Sequence, residues 1–235
     1  MKKLLMLLLL LGGVEISAQT IVQQEFAVSS QPRLTSDMDL HQPTGKGNVL
    51  IAMPGPMSPG VKVASVTDNA PGGSNIYKQV PGAAAACGNK VLLDIWYCEN
   101  CRPGANELKF HFSTPTRTSV NVFMELSGMP SSSVLDGSGV NVSDGTRTSA
   151  GEVGPSITTT ATDFVVGRYH SANPIPTGVT PEAFTYKTTY TYAQDRPAGT
   201  YQPTLTGGGT TGEFCMSMAA FKTAPRAAKS PRRVK

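Results

Sequence analysis

A chain of 235 residues can bury a full hydrophobic core, and its 24 glycines and 18 prolines favour short strands and turns over long helices. The formal charge of +4 comes from the chain ends: residues 1–18 carry +1 and residues 223–235 carry +5, which leaves −2 for residues 19–222. This near-neutral centre excludes the basic footprint of a nucleic-acid-binding domain.

The N-terminus has the pattern of a secretory signal peptide. Two lysines precede an apolar run, Leu4–Leu11, and small residues close the segment. The run has less than half of the about 20 apolar residues that a membrane-spanning helix needs, and no later segment reaches that length. We therefore predict residues 1–18 as a signal peptide, residues 19–222 as one secreted domain (periplasmic or extracellular), and residues 223–235 as a disordered basic tail.

Alternation of apolar residues predicts about ten short strands, separated by turns rich in glycine and proline. In chain order they cover Ile21–Val28, Gly47–Met53, Val61–Asp68, Asn75–Val80, Lys90–Phe112, Ser119–Leu126, Ile157–Thr160, Asp163–Tyr169, Phe184–Tyr192 and Glu213–Lys222. Residues 127–155 contain Asp-Gly turn signals and are predicted as a loop. The pattern indicates an all-β fold, an antiparallel two-sheet β-sandwich of jelly-roll type.

The segment Lys90–Phe112 is the clearest element of this pattern. It is predicted to form a hairpin, with one arm around Val91–Tyr97, a turn at CENCRPGA, and a second arm ending at Phe112. Each arm offers one apolar face to the core.

In an oxidising compartment, disulfides are the preferred interpretation of the four cysteines, Cys87, Cys98, Cys101 and Cys215. Four cysteines allow three pairings. A local bridge between Cys98 and Cys101 would close one loop, and Cys87 could reach the same loop. Zinc is less favoured because no histidine stands near the CENC sequence.

Several segments resemble a type of secreted bacterial β-sandwich module, jelly-roll or immunoglobulin-like. They are GNVLIAM, VASVTDNA with the following NIYKQV, LLDIWYCEN, GANELKFHFS, VNVFMELSGM, TTTATDFVVGRYH and FCMSMAAFK, and the match spans roughly residues 20–222. The resemblance implies a surface module with a role in carbohydrate binding or adhesion, or with no assigned role. It supplies no catalytic residues.

The candidate binding residues lie on the two arms of the predicted hairpin. Trp96 is the single tryptophan, and an aromatic ring on a sheet face can stack on a sugar while polar groups hold the hydroxyls. Asp94, Lys109 and His111 would supply those groups. The alternative is that Trp96 is covered by other parts of the fold. The tyrosines at 186, 190 and 192 are interpreted as core or groove-edge residues rather than a ligand platform.

Other chemistry has weaker support. Structural calcium could use four oxygen-bearing residues, although these stand where Asp and Asn ordinarily make turns: Asp68, Asn69, Asp136 and Asp144. No GxSxG motif occurs. A glycoside hydrolase needs two carboxylates, for which Asp94 and Glu125 are candidates.

The sequence therefore predicts an exported, non-catalytic module that binds a glycan or a cell-surface partner and needs no cofactor. A structural or assembly subunit of an extracellular complex is the second hypothesis, and a glycoside hydrolase is the third.

Overall fold

The computed structural model describes residues 19–58, 60–88, 91–146, 151–171, 176–207 and 211–224. The predicted signal peptide and the tail beyond Ala224 lie outside these residues. Within them no helix occurs, and so none that is long and apolar enough to cross a membrane. The described strands pair antiparallel, so the predicted all-β, antiparallel fold class is confirmed.

The described residues form eighteen strands rather than about ten. They are β1 (Thr20–Asp39), β2 (Val49–Met53), β3 (Val63–Asp68), β4 (Lys78–Gln79), β5 (Ala85–Cys87), β6 (Val91–Leu93), β7 (Trp96–Cys98), β8 (Glu107–Ser127), β9 (Leu135–Thr146), β10 (Glu152–Val153), β11 (Ile157–Thr159), β12 (Asp163–Ser171), β13 (Gly178–Thr180), β14 (Thr185–Tyr186), β15 (Tyr190–Arg196), β16 (Gly199–Tyr201), β17 (Thr204–Thr206) and β18 (Thr211–Lys222).

Two sheets make up most of the fold. The larger has the order β1–β8–β2–β7–β4, with β3 paired to the first half of β8. The smaller has the order β14–β15–β12–β18–β9. Three minor sheets, β10–β17–β13, β11–β16 and β5–β6, complete the described structure.

The long strand β8 organises the larger sheet. It pairs with β1 along one edge, and with β3 and then β2 along the other. Register shifts interrupt the β1–β8 pairing between Ala27 and Thr35, where β8 advances ten residues while β1 advances eight. The even-numbered Met124, before this stretch in the pairing with β1, contacts the cluster between the two larger sheets, whereas the even-numbered Phe110, beyond it, contacts the cluster on the outer face. The two halves of β8 therefore send the same alternating pattern to different sides of the sheet.

Three hydrophobic clusters follow from this arrangement. The first lies between the two larger sheets and joins β2 and β8 to β12 and β18 through residues such as Met124 and Phe221. The second covers the outer face of the larger sheet, and Phe110 and Phe123 belong to it. The third covers the outer face of the smaller sheet around Met216. Because the first cluster covers one face of β2 and the second cluster covers the other, all five residues of β2 are buried.

The predicted hairpin at Lys90–Phe112 is wrong. Both arms are extended, but β7 and β8 do not pair with each other, because β2 lies between them. The second arm also continues without a break through the predicted strand Ser119–Leu126, to form β8.

A buried carboxylate fixes the first half of β1 and the loop that follows β1. Glu125 is fully buried and accepts hydrogen bonds from Gln23 Nε2 at 2.6 Å, Gly45 N at 2.7 Å and Asn48 Nδ2 at 2.5 Å. The Gln23 side chain also donates to the Gln42 carbonyl at 2.9 Å. A buried polar group is stabilising only when it is hydrogen-bonded, so this network defines the position of β1 against β8.

Two disulfides join the four cysteines. Cys87 on β5 pairs with Cys215 on β18 at a Cα separation of 5.7 Å, and Cys98 pairs with Cys101 at 6.0 Å. The local bridge is therefore present, and Cys87 pairs with the last strand instead of the CENC loop. The first bridge spans 128 residues of sequence and the second spans 3.

We expect the long-range bridge to contribute more stability than the local one. In the chain-entropy relation, closing the 128-residue loop stabilises the fold by about 5 kcal/mol and closing the 3-residue loop by about 1.6 kcal/mol. The test is urea unfolding of the Cys87→Ala/Cys215→Ala protein, with Cys98→Ala/Cys101→Ala as the matched control. Equal losses in the two double variants would contradict this account.

Candidate functional site

Trp96 occupies the outer face of β7. Its side chain is half-buried and packs against the second cluster, which contains Ala52 and Phe123 of the neighbouring strands. Both predicted environments are thus present in part, since one portion of the ring is covered and the rest reaches solvent.

Asp94 fixes the indole of Trp96. Its carboxylate is buried and accepts hydrogen bonds from Trp96 Nε1 at 2.8 Å, Gln79 Nε2 at 2.9 Å and the Ile95 amide at 2.9 Å. Burial raises the pKa of the Asp94 carboxyl to about 6, and the hydrogen bonds from Trp96, Gln79 and Ile95 oppose that rise. Asp94 therefore titrates nearer to neutrality than an exposed aspartate.

Lys109 and His111 lie in the first half of β8, where that strand pairs with β1 and β3. Lys109 Nζ lies 3.4 Å from Asp37 and 3.4 Å from Glu107, and His111 Nε2 lies 2.8 Å from the Thr67 hydroxyl. The structure thus brings together Trp96 and Asp94 and places the other two predicted residues in a different part of the sheet.

The predicted calcium ligands make turn contacts. Asp68 accepts hydrogen bonds from Asn75, Ala70 and Tyr77, and Asp136 accepts from residues 160 and 161 and pairs with Lys222 at 3.4 Å. Asn69 joins two parts of the chain through Asn106, and the side chain of Asp144 lies outside the described part. Within the described ranges, no three His, Cys, Asp or Glu residues form a group able to hold a metal ion.

The two carboxylates considered for glycoside hydrolysis are both buried. Asp94 is 1% exposed and Glu125 is 0% exposed, and neutral donors occupy both side chains. Each serves the packing of a strand in this structure.

An open apolar groove lies where β1 extends past the smaller sheet. Its volume is about 490 Å³, and it is lined by Gln24, Phe26, Val28, Val120 and the segment Lys187–Tyr190. Phe26 is 75% exposed and Val28 is 67% exposed. Phe26 is in register with Val122 of the first cluster, so the groove continues the core-facing side of the larger sheet into solvent.

Two polar contacts hold the walls of this groove together. Tyr190 donates its hydroxyl hydrogen bond to Gln24 Oε1 at 2.6 Å, which joins β15 to β1. Arg168 is 1% exposed and donates to the carbonyls of Thr189 at 2.5 Å and Val120 at 2.7 Å, which lie in opposite walls. Burial lowers the pKa of Arg168 to about 10, so its guanidinium remains charged near neutral pH.

Sequence reasoning missed this groove. Val22, Gln24, Phe26 and Val28 form one alternating set within the predicted first strand, which indicates an apolar face but not that the opposite sheet stops short of it. Tyr190, interpreted as a core or groove-edge residue, is one of the residues that line the groove.

We found no family model that matches the chain, and neither a curated protein nor a solved structure matches it. The groove and the Trp96–Asp94 pair are therefore interpreted from their own geometry.

We expect the fluorescence of Trp96 to report the ionisation of Asp94. The midpoint should lie near pH 6, because burial raises the pKa of that carboxyl to about 6 and its oxygen accepts the indole hydrogen bond. Trp96 is the only tryptophan, so the signal has one source. The Asp94→Asn protein should lack this transition; a transition near pH 6 that persists in Asp94→Asn would assign it to another group.

The same pKa sets the sign of a stability change. The folded-state pKa of Asp94 lies above its ordinary value of 3.8, so its proton is bound more tightly in the folded state. The free energy of unfolding should therefore fall as pH rises from about 4 to 6, by about 3 kcal/mol for a shift of about two units. Asp94→Asn, measured by urea unfolding at pH 4 and pH 7, should lose this component, and equal pH dependence in both proteins would contradict it.

Proposed function

We propose that the chain is an exported, non-catalytic binding module that contacts a surface partner protein through the groove beside β1. One observation carries the proposal. Of the nine large hydrophobic side chains that are exposed in the described residues, four lie on β1 (Val22, Phe26, Val28 and Leu34), and two of these, Phe26 and Val28, line the groove. Apolar residues gathered on one element of a surface mark an interaction site, whereas scattered ones do not.

The exposed side chain of Phe26 has the properties of a residue that contributes much of the binding energy at an interface. Burying a phenylalanine side chain is worth about 1.5–3 kcal/mol, and Phe26 is 75% exposed before any partner binds. Aromatic residues in partly formed pockets dominate many protein interfaces. Val28 and Val120 extend the apolar lining beyond Phe26.

The groove is also held in place before binding. Glu125 fixes the first half of β1 through Gln23. Tyr190, in the opposite wall of the groove, is hydrogen-bonded to Gln24 of β1. Arg168 connects the two walls by donating to a carbonyl group in each. A preformed site loses less conformational entropy on binding than a flexible one. These contacts support a binding role at this position.

Two wider features of the proposal, the sandwich architecture and secretion, have support in the structure. The first hydrophobic cluster between the two larger sheets is consistent with a sandwich of jelly-roll type, as in the surface modules that the sequence resembles. Two disulfides are consistent with an oxidising compartment, and hence with secretion. An assembly subunit, the second hypothesis from the sequence, would use the same groove.

Glycan binding at Trp96 is a second candidate function. The observation that favours it is the fixed orientation of the indole, which Asp94 holds while the exposed Gln79 lies opposite Trp96 on β4. An oriented aromatic ring beside an amide can stack on a sugar and bind its hydroxyls.

Binding to intact cells of the producing organism tests both candidates. We expect Phe26→Ala to weaken binding at least about tenfold, because losing 1.4 kcal/mol of the burial of one aromatic ring has that effect. Ile76→Ala is the matched control, since Ile76 is 79% exposed and lies outside the groove. Protease treatment of the cells should abolish binding, and periodate oxidation of their glycans should not.

The opposite pattern would favour the glycan candidate. Binding that is lost after periodate treatment and in Trp96→Ala, but kept in Phe26→Ala, would replace the groove by the Trp96–Asp94 pair. Binding that is equal in Phe26→Ala and Ile76→Ala would reject the groove as the site.

A further inference from the structure

The first half of β1 is an edge strand that lacks the usual protection of edges. Among the described strands, β1 pairs only with β8. An unprotected edge presents backbone N–H and C=O groups that can pair with another extended chain. From Gln23 to Ala27, β1 follows β8 in regular antiparallel register, so this part of its backbone is straight enough to template a further strand.

Most of the features that blunt sheet edges occur in the second half of β1. Pro32 removes a backbone donor, Arg33 adds a charge, and register shifts follow one another between Ala27 and Thr35. Prolines, charges and bulges are the devices by which natural sheets prevent edge pairing. The stretch Gln23–Ala27 has no proline and no register shift, and Glu25 is its only charged residue, so the part of β1 that carries Phe26 is open to pairing.

Charge at the groove favours an acidic partner. Lys187 is the one charged residue among the described residues that line it, and the guanidinium of Arg168 lies directly behind the carbonyls of Val120 and Thr189. Glu25 belongs to β1 but is in register with Phe123 of the second cluster, on the opposite face. The formal charge of the described lining residues is therefore positive, which favours acidic groups on a partner.

We infer that the partner docks as an extended, acidic peptide segment that adds to the edge of β1 between Gln23 and Val28. Backbone hydrogen bonds would supply affinity, and alternate apolar side chains of the segment would enter the groove against Phe26 and Val28, as in β-strand addition. Acidic residues of the segment would face Lys187. This inference rests on the proposed function and names the class of partner for the same site.

The basic tail of the chain itself is disfavoured as the occupant. Residues 223–235 carry five cationic side chains and no acid, so they share the sign of Lys187 and Arg168. Like charges at close range oppose docking.

A random dodecamer peptide library displayed on phage tests the inference. Selection is made on the folded wild-type chain, with prior depletion on Phe26→Ala, which should fold normally because the side chain is exposed. We expect enriched peptides to alternate apolar residues with an excess of Asp and Glu. Enrichment of neutral or basic peptides, or no Phe26-dependent enrichment, would overturn the inference.

The best peptide then tests the mode of binding. It is synthesised with N-methyl groups on alternate amides, in each of the two phases, because a strand added at one edge uses only one set of amides. We expect one phase to lose binding at least tenfold and the other to retain it, with new hydrogen-exchange protection of β1 amides between Gln23 and Val28. Equal effects of both phases would reject strand addition.

Lys187→Glu tests the charge. The substitution should weaken binding of the acidic peptide at least tenfold and strengthen binding of a version with Lys in place of its acidic residues. The control is Lys62→Glu, at a lysine outside the groove, which should leave the binding of both peptides unchanged. If the Lys187→Glu protein still preferred the acidic peptide to the same degree, the inference that the partner is acidic would be overturned. Failure of every peptide alongside Phe26-dependent binding to cells would reject the extended segment yet leave the proposed function in place.

Discussion

The pairing of β8 with three other strands is the constraint on which the larger sheet depends. The strand holds β1 on one edge, and β3 and β2 in turn on the other. Its faces exchange across the irregular register between Ala27 and Thr35, so even-numbered residues of one half pack against the smaller sheet and those of the other half build the outer cluster. Where the smaller sheet ends, the core-facing side of β1 is left without cover, and this edge of the packing is the groove.

Two buried polar side chains reinforce the same region, and both are held by neutral partners. Glu125 accepts from an amide side chain of β1, and Arg168 donates to carbonyls of both sheets. Burying a polar group costs desolvation energy that its hydrogen bonds must offset, so the bonds of these groups fix a particular geometry. The position of β1 and the width of the groove are therefore set by directional hydrogen bonds.

Part of the fold follows from the sequence alone. Alternation located β2, β12 and β18 closely, because their apolar runs are bounded by turn residues. The hairpin prediction failed because adjacency in sequence does not reveal that β2 inserts between β7 and β8. β9 was missed because its glycines resemble turns, whereas Gly137 lies at a close approach of two backbones: a Cβ there would lie 2.9 Å from the Thr158 carbonyl oxygen.

The candidate sites show the same limit. The period of a strand places Asp94 and Trp96 on one face, and the structure joins them by a hydrogen bond. The same reasoning placed Lys109 and His111 beside them through a pairing that does not exist. The groove depends on where one sheet ends relative to another, and alternation carries no information about that distance.

The contrast between the two halves of β1 argues that the open edge is retained for a purpose. An exposed apolar edge strand invites aggregation, and a chain that exposed it along twenty residues would carry that hazard along its whole length. Here proline, charge and irregular register blunt the second half, while the first half keeps Phe26 and Val28 in solvent beside a prepared wall. Since simple polar substitutions at these two exposed positions would disturb no core packing, their apolar character is better explained by a partner than by folding.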